Sequence, residues 1–269
     1  MEGTEEKRGV EERLRGVGDE IAHRTPAVEP WLLRARDVYA RMYVQRTALS
    51  NRLHHDAPVV PYRLLDVDPD DIEYVQIRRQ PMFRAAGGVV DGDWDQTDER
   101  FEETDTFRAY EQHFEHGVPW SETEFFERIV GELADGNVRW GCRTRAEFEA
   151  RCERLDDLYE SIREDGYRSQ AALADSGGDN PIRDPERLKT ERFKDEIAVH
   201  VGRDGDLLFA DGRNRLSIAK LLDLDAIQVR VLRRHTEWQN VRDAYVRGTL
   251  PPDEYPSHPD LEYLTYGGL

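Results

Sequence analysis

The chain has 269 residues with 56 acidic and 38 basic side chains, a formal net charge of −18 and only four lysines. This acidic, lysine-poor composition is typical of a protein solvated in a high-salt cytoplasm, since carboxylates retain water where salt screens charge. It argues against a nonspecific coat on nucleic acid, although a locally basic groove can still face a polyanion.

The length allows a sizeable core and either one large domain or two small ones, of which we expect two. Cys142 and Cys152 are the only thiols, and no Cys/His cluster has zinc-ligand spacing, which fits a reducing interior. Residues 1–7 are acidic without an apolar core, and no apolar run approaches the length of a membrane span. We therefore expect a cytoplasmic protein without a membrane partner.

Apolar spacing and turn residues predict a frayed terminus over residues 1–18, followed by a mainly helical region up to residue 144. The predicted elements are a helix from Pro30 to about Leu53, a break at residues 58–61, strands within 64–72 and 74–77, and helices over 107–114, 122–133 and 145–164. Ser121 and Glu124 predict a capping box for the helix over 122–133.

A loop rich in glycine and carboxylate covers residues 87–95 within this helical region. Its sequence Asp91-Gly92-Asp93-Trp94-Asp95 places three carboxylates within five residues, and Asp93 is the candidate ligand for a divalent metal. The spacing is not that of a calcium loop, and the alternative is a set of solvated aspartates. Trp94 must bury its ring, which predicts that the loop is pinned against another element.

The C-terminal part opens with a Gly/Asp/Pro loop over residues 175–185. Strands over 197–201 and 207–210 are joined by the turn Arg203-Asp204-Gly205-Asp206, which is a hairpin signal. The further predicted elements are a helix beginning near Leu216, a strand over 227–232, the segment Arg233-Arg234-His235 after that strand, and a polar tail over 249–269.

The segment Asp211-Gly212-Arg213-Asn214-Arg215-Leu216 lies where the second hairpin strand turns into the next helix. Glycine adopts backbone conformations closed to other residues, arginine donates two N–H groups to an anion, and a helix N-terminus carries partial positive charge. These features predict a phosphate site, with a nucleotide as the expected ligand. The alternative is structural, with Asp211 capping the helix and the two arginines paired with Asp223 and Asp225.

The region around this segment is locally basic. Residues 203–234 contain seven basic and five acidic side chains, a net charge of +2 against the trend of the chain. The basic residues are Arg203, Arg213, Arg215, Lys220, Arg230, Arg233 and Arg234.

The ordered set of helix 158–167, strand, Asp211–Leu216 segment, helix and strand 226–231 resembles the ParB/sulfiredoxin superfamily over roughly residues 151–235. The resemblance implies an α+β fold in which a ParB/sulfiredoxin-like domain of short strands and helices covers residues 145–248. The mainly helical N-terminal region, residues 1–144, precedes it.

The resemblance also assigns roles at matching positions. It implies that Gly212 and Arg215 hold nucleotide phosphates and that Asp211 is a catalytic or metal-facing carboxylate. Arg213 stands where sulfiredoxins place their reactive cysteine, which argues against sulfinic-acid reduction. Asn214 stands where sulfiredoxins and the ParB-like kinases have histidine, and asparagine cannot relay a proton. A DNA-reading domain after His235 is missing from the sequence pattern, which argues against chromosome partition.

Two further residues are catalytic candidates: Glu160, on the helix entering this domain, and His235, after the last strand. Three functions stay open at this point. The first is an NTP-dependent hydrolase or small-molecule phosphotransferase that uses ATP or CTP with Mg²⁺, its phosphates held by Gly212, Arg213, Asn214 and Arg215. The second is a nuclease-like or nucleic-acid-binding module, and the third is a nucleotide switch without turnover.

Overall fold

The computed structural model describes residues 29–57, 59–60, 63–77, 85–170, 172–173, 196–250 and 257–266. The predicted frayed terminus and the predicted loop over 175–185 lie outside these residues, as do both prolines of the predicted break. The chain divides into two compact units, Met1–Arg46 and Thr47–Leu269. Helix α1, Glu29–His54, begins in the first unit and ends within one residue of its predicted end.

A mixed sheet of six strands organises the second unit, in the order β1-β6-β4-β5-β2, and β3 also pairs with β6. The strands are β1 Leu64–Val67, β2 Tyr74–Val75, β3 Gly88–Val90, β4 Ile197–Val201, β5 Leu207–Asp211 and β6 Ile227–His235. The β1–β6 and β4–β5 pairs are antiparallel, and the β2–β5, β3–β6 and β4–β6 pairs are parallel. Helices and one mixed sheet together agree with the predicted α+β class.

Strand β4 lies between β5 and β6 and is buried along its whole length. A strand covered on both faces reads as a continuous apolar run, which explains the sequence Ile-Ala-Val-His-Val over its five residues. The predicted hairpin turn joins β4 to β5, and Gly205 in that turn has φ of +98°. The hairpin prediction is confirmed.

Three helices form a second core beside the sheet: α2 Asp105–Phe114, α3 Glu124–Ala134 and α4 Arg145–Asp165. Helix α5, Arg213–Leu221, contributes to both cores. Its residues Leu216 and Ala219 pack with apolar residues of the strands, whereas Ile218 packs with the three helices. The N-terminus of α5 is therefore held in place from two sides.

Several predicted boundaries differ from the structure. Thr123 caps α3, because residues Trp120–Glu122 form a 3-10 turn that moves the helix start past Ser121, so the predicted capping box is wrong. Strand β6 continues to His235 and is followed by α6, Thr236–Val246. The predicted polar tail contains α7, Pro259–Tyr266, whose Asp260 is buried. None of the helices in the described ranges is both long and apolar enough to cross a membrane.

The sheet contains strands from both of the predicted regions, which meet at residue 145. Strands β1, β2 and β3 precede that residue, and each pairs with a strand that follows it. Strand β6 lies beside β1, β3 and β4, so chain segments far apart in sequence form its neighbours. This arrangement favours an N-terminal region that completes the same sheet over an independent domain.

Candidate functional site

The turn between β5 and α5 has a backbone shape that requires glycine. Gly212 has φ of +92°, and a Cβ added there would lie 2.7 Å from the Cα of Ile197. L-residues rarely adopt this conformation, and atoms of the β4 backbone cannot withdraw as a flexible side chain can. The close approach places the start of α5 directly against the start of β4.

Two backbone N–H groups at the start of α5 are available to a ligand. The amides of Arg215 and Leu216 donate to the Gly212 carbonyl oxygen, and the Gly212 amide donates to Asp211 Oδ1 at 2.8 Å. Within the described residues, the amides of Arg213 and Asn214 have no such acceptor. Unsatisfied N–H groups at a helix N-terminus are typical anion contacts.

Asp211 is exposed. The structural alternative predicted that its side chain caps α5, but it accepts no hydrogen bond from the amide of the second or third helical residue. Its Oδ1 accepts from the adjacent Gly212 amide instead. The carboxylate thus stabilises the turn locally and remains beside the helix N-terminus, at the edge of the candidate site.

The Arg215 side chain lies in the protein interior. Its side chain is 8% exposed, and its Nη1 lies 3.5 Å from Oε2 of Glu196, whose side chain is fully buried. Burial raises the pKa of the nearby Tyr167 to about 12, although the charge of Arg215 and a hydrogen bond to it act in the opposite direction. Arg215 therefore holds α5 against the segment leading into β4, and its predicted phosphate contact is not the role its surroundings favour.

Arg213 has a different environment, although it lies only two residues away. It is half-buried, its Nη1 donates to Thr106 Oγ1 at 3.1 Å, and its guanidinium carbon lies 6.0 Å from the centre of the Phe209 ring. No carboxylate of the described residues forms an ion pair with it, and the predicted alternative partners Asp223 and Asp225 do not. Its remaining N–H groups can bind an anion.

Polar atoms without partners lie along the same helix. Asn214 Oδ1 and Ser217 Oγ are buried and have no hydrogen-bond partner in the part of the chain that the structure describes. These residues are three positions apart and share one side of α5. A buried polar atom without a partner is uncommon enough to need an explanation, and a ligand or ordered water is one.

The loop over residues 91–95 lies at the other end of the β4–β5 hairpin. Arg203, in the hairpin turn, forms ion pairs with Asp93 at 3.0 Å and with Asp95 at 2.8 Å. Trp94 is buried, as predicted, and its Nε1 donates to the Val90 carbonyl oxygen. Burial alone would raise the pKa of Asp95, but its hydrogen bonds with Arg203 prevail and lower that pKa to about 2. Asp93 and Asp95 are therefore already paired with Arg203.

The predicted metal ligands Asp93 and Asp211 are consequently separated by the length of the hairpin. Asp211 pairs with Ala198 at one end of β4, and Arg203 follows the other end. Five strand residues span about 13 Å, too far for one ion to bind both carboxylates. No group of three or more His, Cys, Asp or Glu side chains in the described part of the chain is arranged to hold a metal ion.

His235 also lies at the end away from the glycine turn. Its Nδ1 accepts from the Glu237 amide at the start of α6, which leaves Nε2 to donate to the Gly92 carbonyl oxygen at 2.9 Å. The ring is 1% exposed and both nitrogens are used. A structural role, capping α6 and fixing the Asp loop, accounts for these contacts, and His235 is not brought together with Asp211.

Glu160 lies on the exposed side of α4 and forms an ion pair with Arg163. No hydrogen bond or ion pair joins it to residues 211–215 in the ranges the structure covers. Of the predicted residues, the structure thus brings together Asp211, Gly212, Arg213 and Asn214. Arg215 follows them in the same turn, but its side chain is buried beside Glu196.

Sequence reasoning missed the partners of this turn. Thr106 and Tyr110 of α2 lie near Arg213, and Glu196 and Tyr167 lie near Arg215. Thr106 is 107 positions from Arg213, and no local pattern identifies contacts at such separation.

The sequence was also compared with known proteins. It matched no family model, no curated protein and no solved structure. The resemblance of residues 151–235 to the ParB/sulfiredoxin superfamily therefore stays a prediction.

Proposed function

We propose that the turn formed by residues 211–215 binds the phosphate of a nucleotide, with Arg213 as its principal side-chain contact. The observation that carries the proposal is the environment of Arg213, a half-buried guanidinium at a helix N-terminus without a carboxylate partner among the described residues. The free amides of Arg213 and Asn214 point to the same class of ligand, since both features attract anions.

The other six basic residues of the segment 203–234 are buried or paired with carboxylates, which supports Arg213 as the ligand contact. Four of the seven are buried: Arg215, Arg230, Arg233 and Arg234. Arg203 is paired with Asp93 and Asp95, and Lys220 is paired with Asp70 and Glu102. The local charge of +2 is thus not a basic surface, which counts against the nucleic-acid alternative, since such binding needs several exposed phosphate contacts.

The residues present fit a magnesium ion that arrives with a nucleotide. Mg²⁺ usually binds through one or two protein carboxylates together with substrate phosphates. Asp211 is the exposed carboxylate at this turn and would hold the ion, whereas Asp93 would not. When bound, the ion neutralises charge on the phosphates. Asp211 in turn would position the ion beside the N-terminus of α5.

A binding experiment tests the proposal. ATP, CTP and GTP are titrated with Mg²⁺ into the wild type, Arg213→Gln and Arg108→Gln by calorimetry and thermal shift at high salt. Arg108 is exposed on α2, so it is a matched loss of one charge. We expect one nucleotide to bind the wild type and the control alike, and to bind Arg213→Gln about 10- to 100-fold more weakly, the effect of a lost charged hydrogen bond.

Two results would overturn the proposal: no nucleotide binds the wild type, or Arg213→Gln binds as the control does. Phosphate release from the bound nucleotide then separates a hydrolase from a switch. If release occurs, Asp211→Asn is expected to reduce it strongly while the folded state persists, because Asp211 is exposed.

A further inference from the structure

The hydroxyl of Tyr110 is the starting point for a second inference. Tyr110 is fully buried on α2, and its hydroxyl oxygen has no hydrogen-bond partner among the described residues. Burying a hydroxyl without a partner costs free energy, so a group of this kind calls for an explanation. Burial raises the pKa of Tyr110 well above its ordinary value, so the phenol remains a hydrogen-bond donor at any physiological pH.

Two guanidiniums belong to helices that pack in the same core as Tyr110, since Arg151 precedes Cys152 of α4 and Arg213 begins α5, which contributes Ile218. The charges of Arg151 and Arg213 both oppose the rise in the pKa of Tyr110. Contacts agree with this placement, because Thr106, one helical turn before Tyr110, accepts a hydrogen bond from Arg213. Tyr110 therefore connects the candidate phosphate turn with α4, which carries Arg151.

Arg151 resembles Arg213 in lacking an acidic partner. It is half-buried, and its guanidinium carbon lies 5.4 Å from the centre of the Trp140 ring. Its Nε is buried and has no hydrogen-bond partner within the described ranges. Burial lowers the pKa of Arg151. No described carboxylate pairs with it, although the chain has 56 acidic residues. A desolvated cation gains most from an anion that enters its surroundings.

We propose that Tyr110, Arg151 and Arg213 form a second anion position, which takes the next phosphate group of a ligand whose first phosphate lies on the turn at Gly212. The ligand class is then a diphosphate or triphosphate rather than a monophosphate. This inference rests on the proposed function, because Arg213 belongs to both positions.

Inorganic anions test this position without a nucleotide base. Phosphate, pyrophosphate and tripolyphosphate are titrated into the wild type, Tyr110→Phe, Arg151→Gln and the control Tyr159→Phe, which loses a hydroxyl from a ring stacked on Phe114. We expect the wild type and the control to bind pyrophosphate at least about tenfold more tightly than phosphate. Tyr110→Phe and Arg151→Gln should lose that preference and keep their affinity for phosphate.

Stability measurements accompany these titrations. Tyr110→Phe removes a hydroxyl without a hydrogen-bond partner among the residues that the structure describes, so it should be at least as stable as the wild type. Equal affinity of the wild type for phosphate and pyrophosphate, or a full pyrophosphate preference in both Tyr110→Phe and Arg151→Gln, would overturn the second position and leave the nucleotide proposal standing. If neither the anions nor any nucleotide binds the wild type, both proposals fail.

Discussion

Arg215→Ala tests whether the second arginine of the glycine turn is structural. Its guanidinium and the Glu196 carboxylate are 3.5 Å apart, and their side chains are 8% and 0% exposed. The substitution removes a cation from beside a fully buried carboxylate. It also removes the contact that joins the first turn of α5 to the segment entering β4. We therefore expect a loss of stability, whereas Arg213→Ala should affect ligand binding first.

The magnitude follows from the distance and the burial. Two unit charges at this separation interact by about 5 kcal/mol at an effective dielectric constant near 20. Removing one partner of a buried pair costs about 3–5 kcal/mol by measurement in other proteins, which is the same range. For a folded unit of roughly 220 residues, about 2–4 °C of Tm per kcal/mol gives a decrease of about 6–20 °C.

Urea unfolding followed by circular dichroism, together with thermal unfolding, measures the effect. Arg108→Ala is the control for loss of an exposed arginine and should stay within about 0.5 kcal/mol of the wild type. The double variant Arg215→Met with Glu196→Leu should recover much of the loss, since apolar pairs often replace buried ion pairs. An Arg215→Ala protein within about 1 kcal/mol of the wild type would refute the structural assignment.

Three further predictions concern the fold around the site. Gly212→Ala should lower the free energy of unfolding by about 2–4 kcal/mol, because it combines a φ of +92° with a clash at Ile197. The control Gly136→Ala, at the C-terminus of α3 with φ of +84° and open space, should cost about 1 kcal/mol in urea unfolding. The pKa of Asp95 is about 2 in the folded state and 3.8 in the unfolded state, so ionised Asp95 contributes about 2 kcal/mol to the free energy of unfolding. This contribution is present above about pH 4 and is lost as the pH falls to about 2. Acid unfolding of the wild type and of Asp95→Asn measures it. A fragment of residues 145–269 lacks three strands and should show no dispersed amide spectrum, and a folded spectrum would support independent domains.

The sequence was sufficient to predict the local elements around the site. The Asp-Gly turn between two apolar runs predicted the β4–β5 hairpin, and the glycine after β5 predicted the start of α5, because both signals depend on neighbouring residues. The predicted ends of helices and strands were less accurate where a neighbouring element changes them. The 3-10 turn before α3 moved its cap to Thr123, and pairing with β3 and β4 extended β6 to His235.

The roles of individual charges could not be predicted from the sequence. Arg213 and Arg215 look equivalent in the chain, since each is an arginine near a helix start. Their partners come from different places: Thr106 belongs to a helix 107 positions away, and Glu196 lies 19 positions upstream. Successive helical residues point in directions about 100° apart, so residues two positions apart face different layers. Tertiary packing therefore decides which guanidinium is buried and which can bind a ligand.

The two ends of the β4–β5 hairpin show how this acidic chain distinguishes a structural arginine from a binding one. At the turn, Arg203 is satisfied by two aspartates, Asp93 and Asp95, and the pair fixes a loop. At the glycine end, Arg213 has a hydroxyl and an aromatic ring as neighbours, although carboxylates are abundant in the sequence. A guanidinium without an anion in a partly desolvated place gains free energy when an anion binds, whereas Arg203 would have to lose its carboxylates first. The same residue type therefore favours a ligand at only one end of the hairpin.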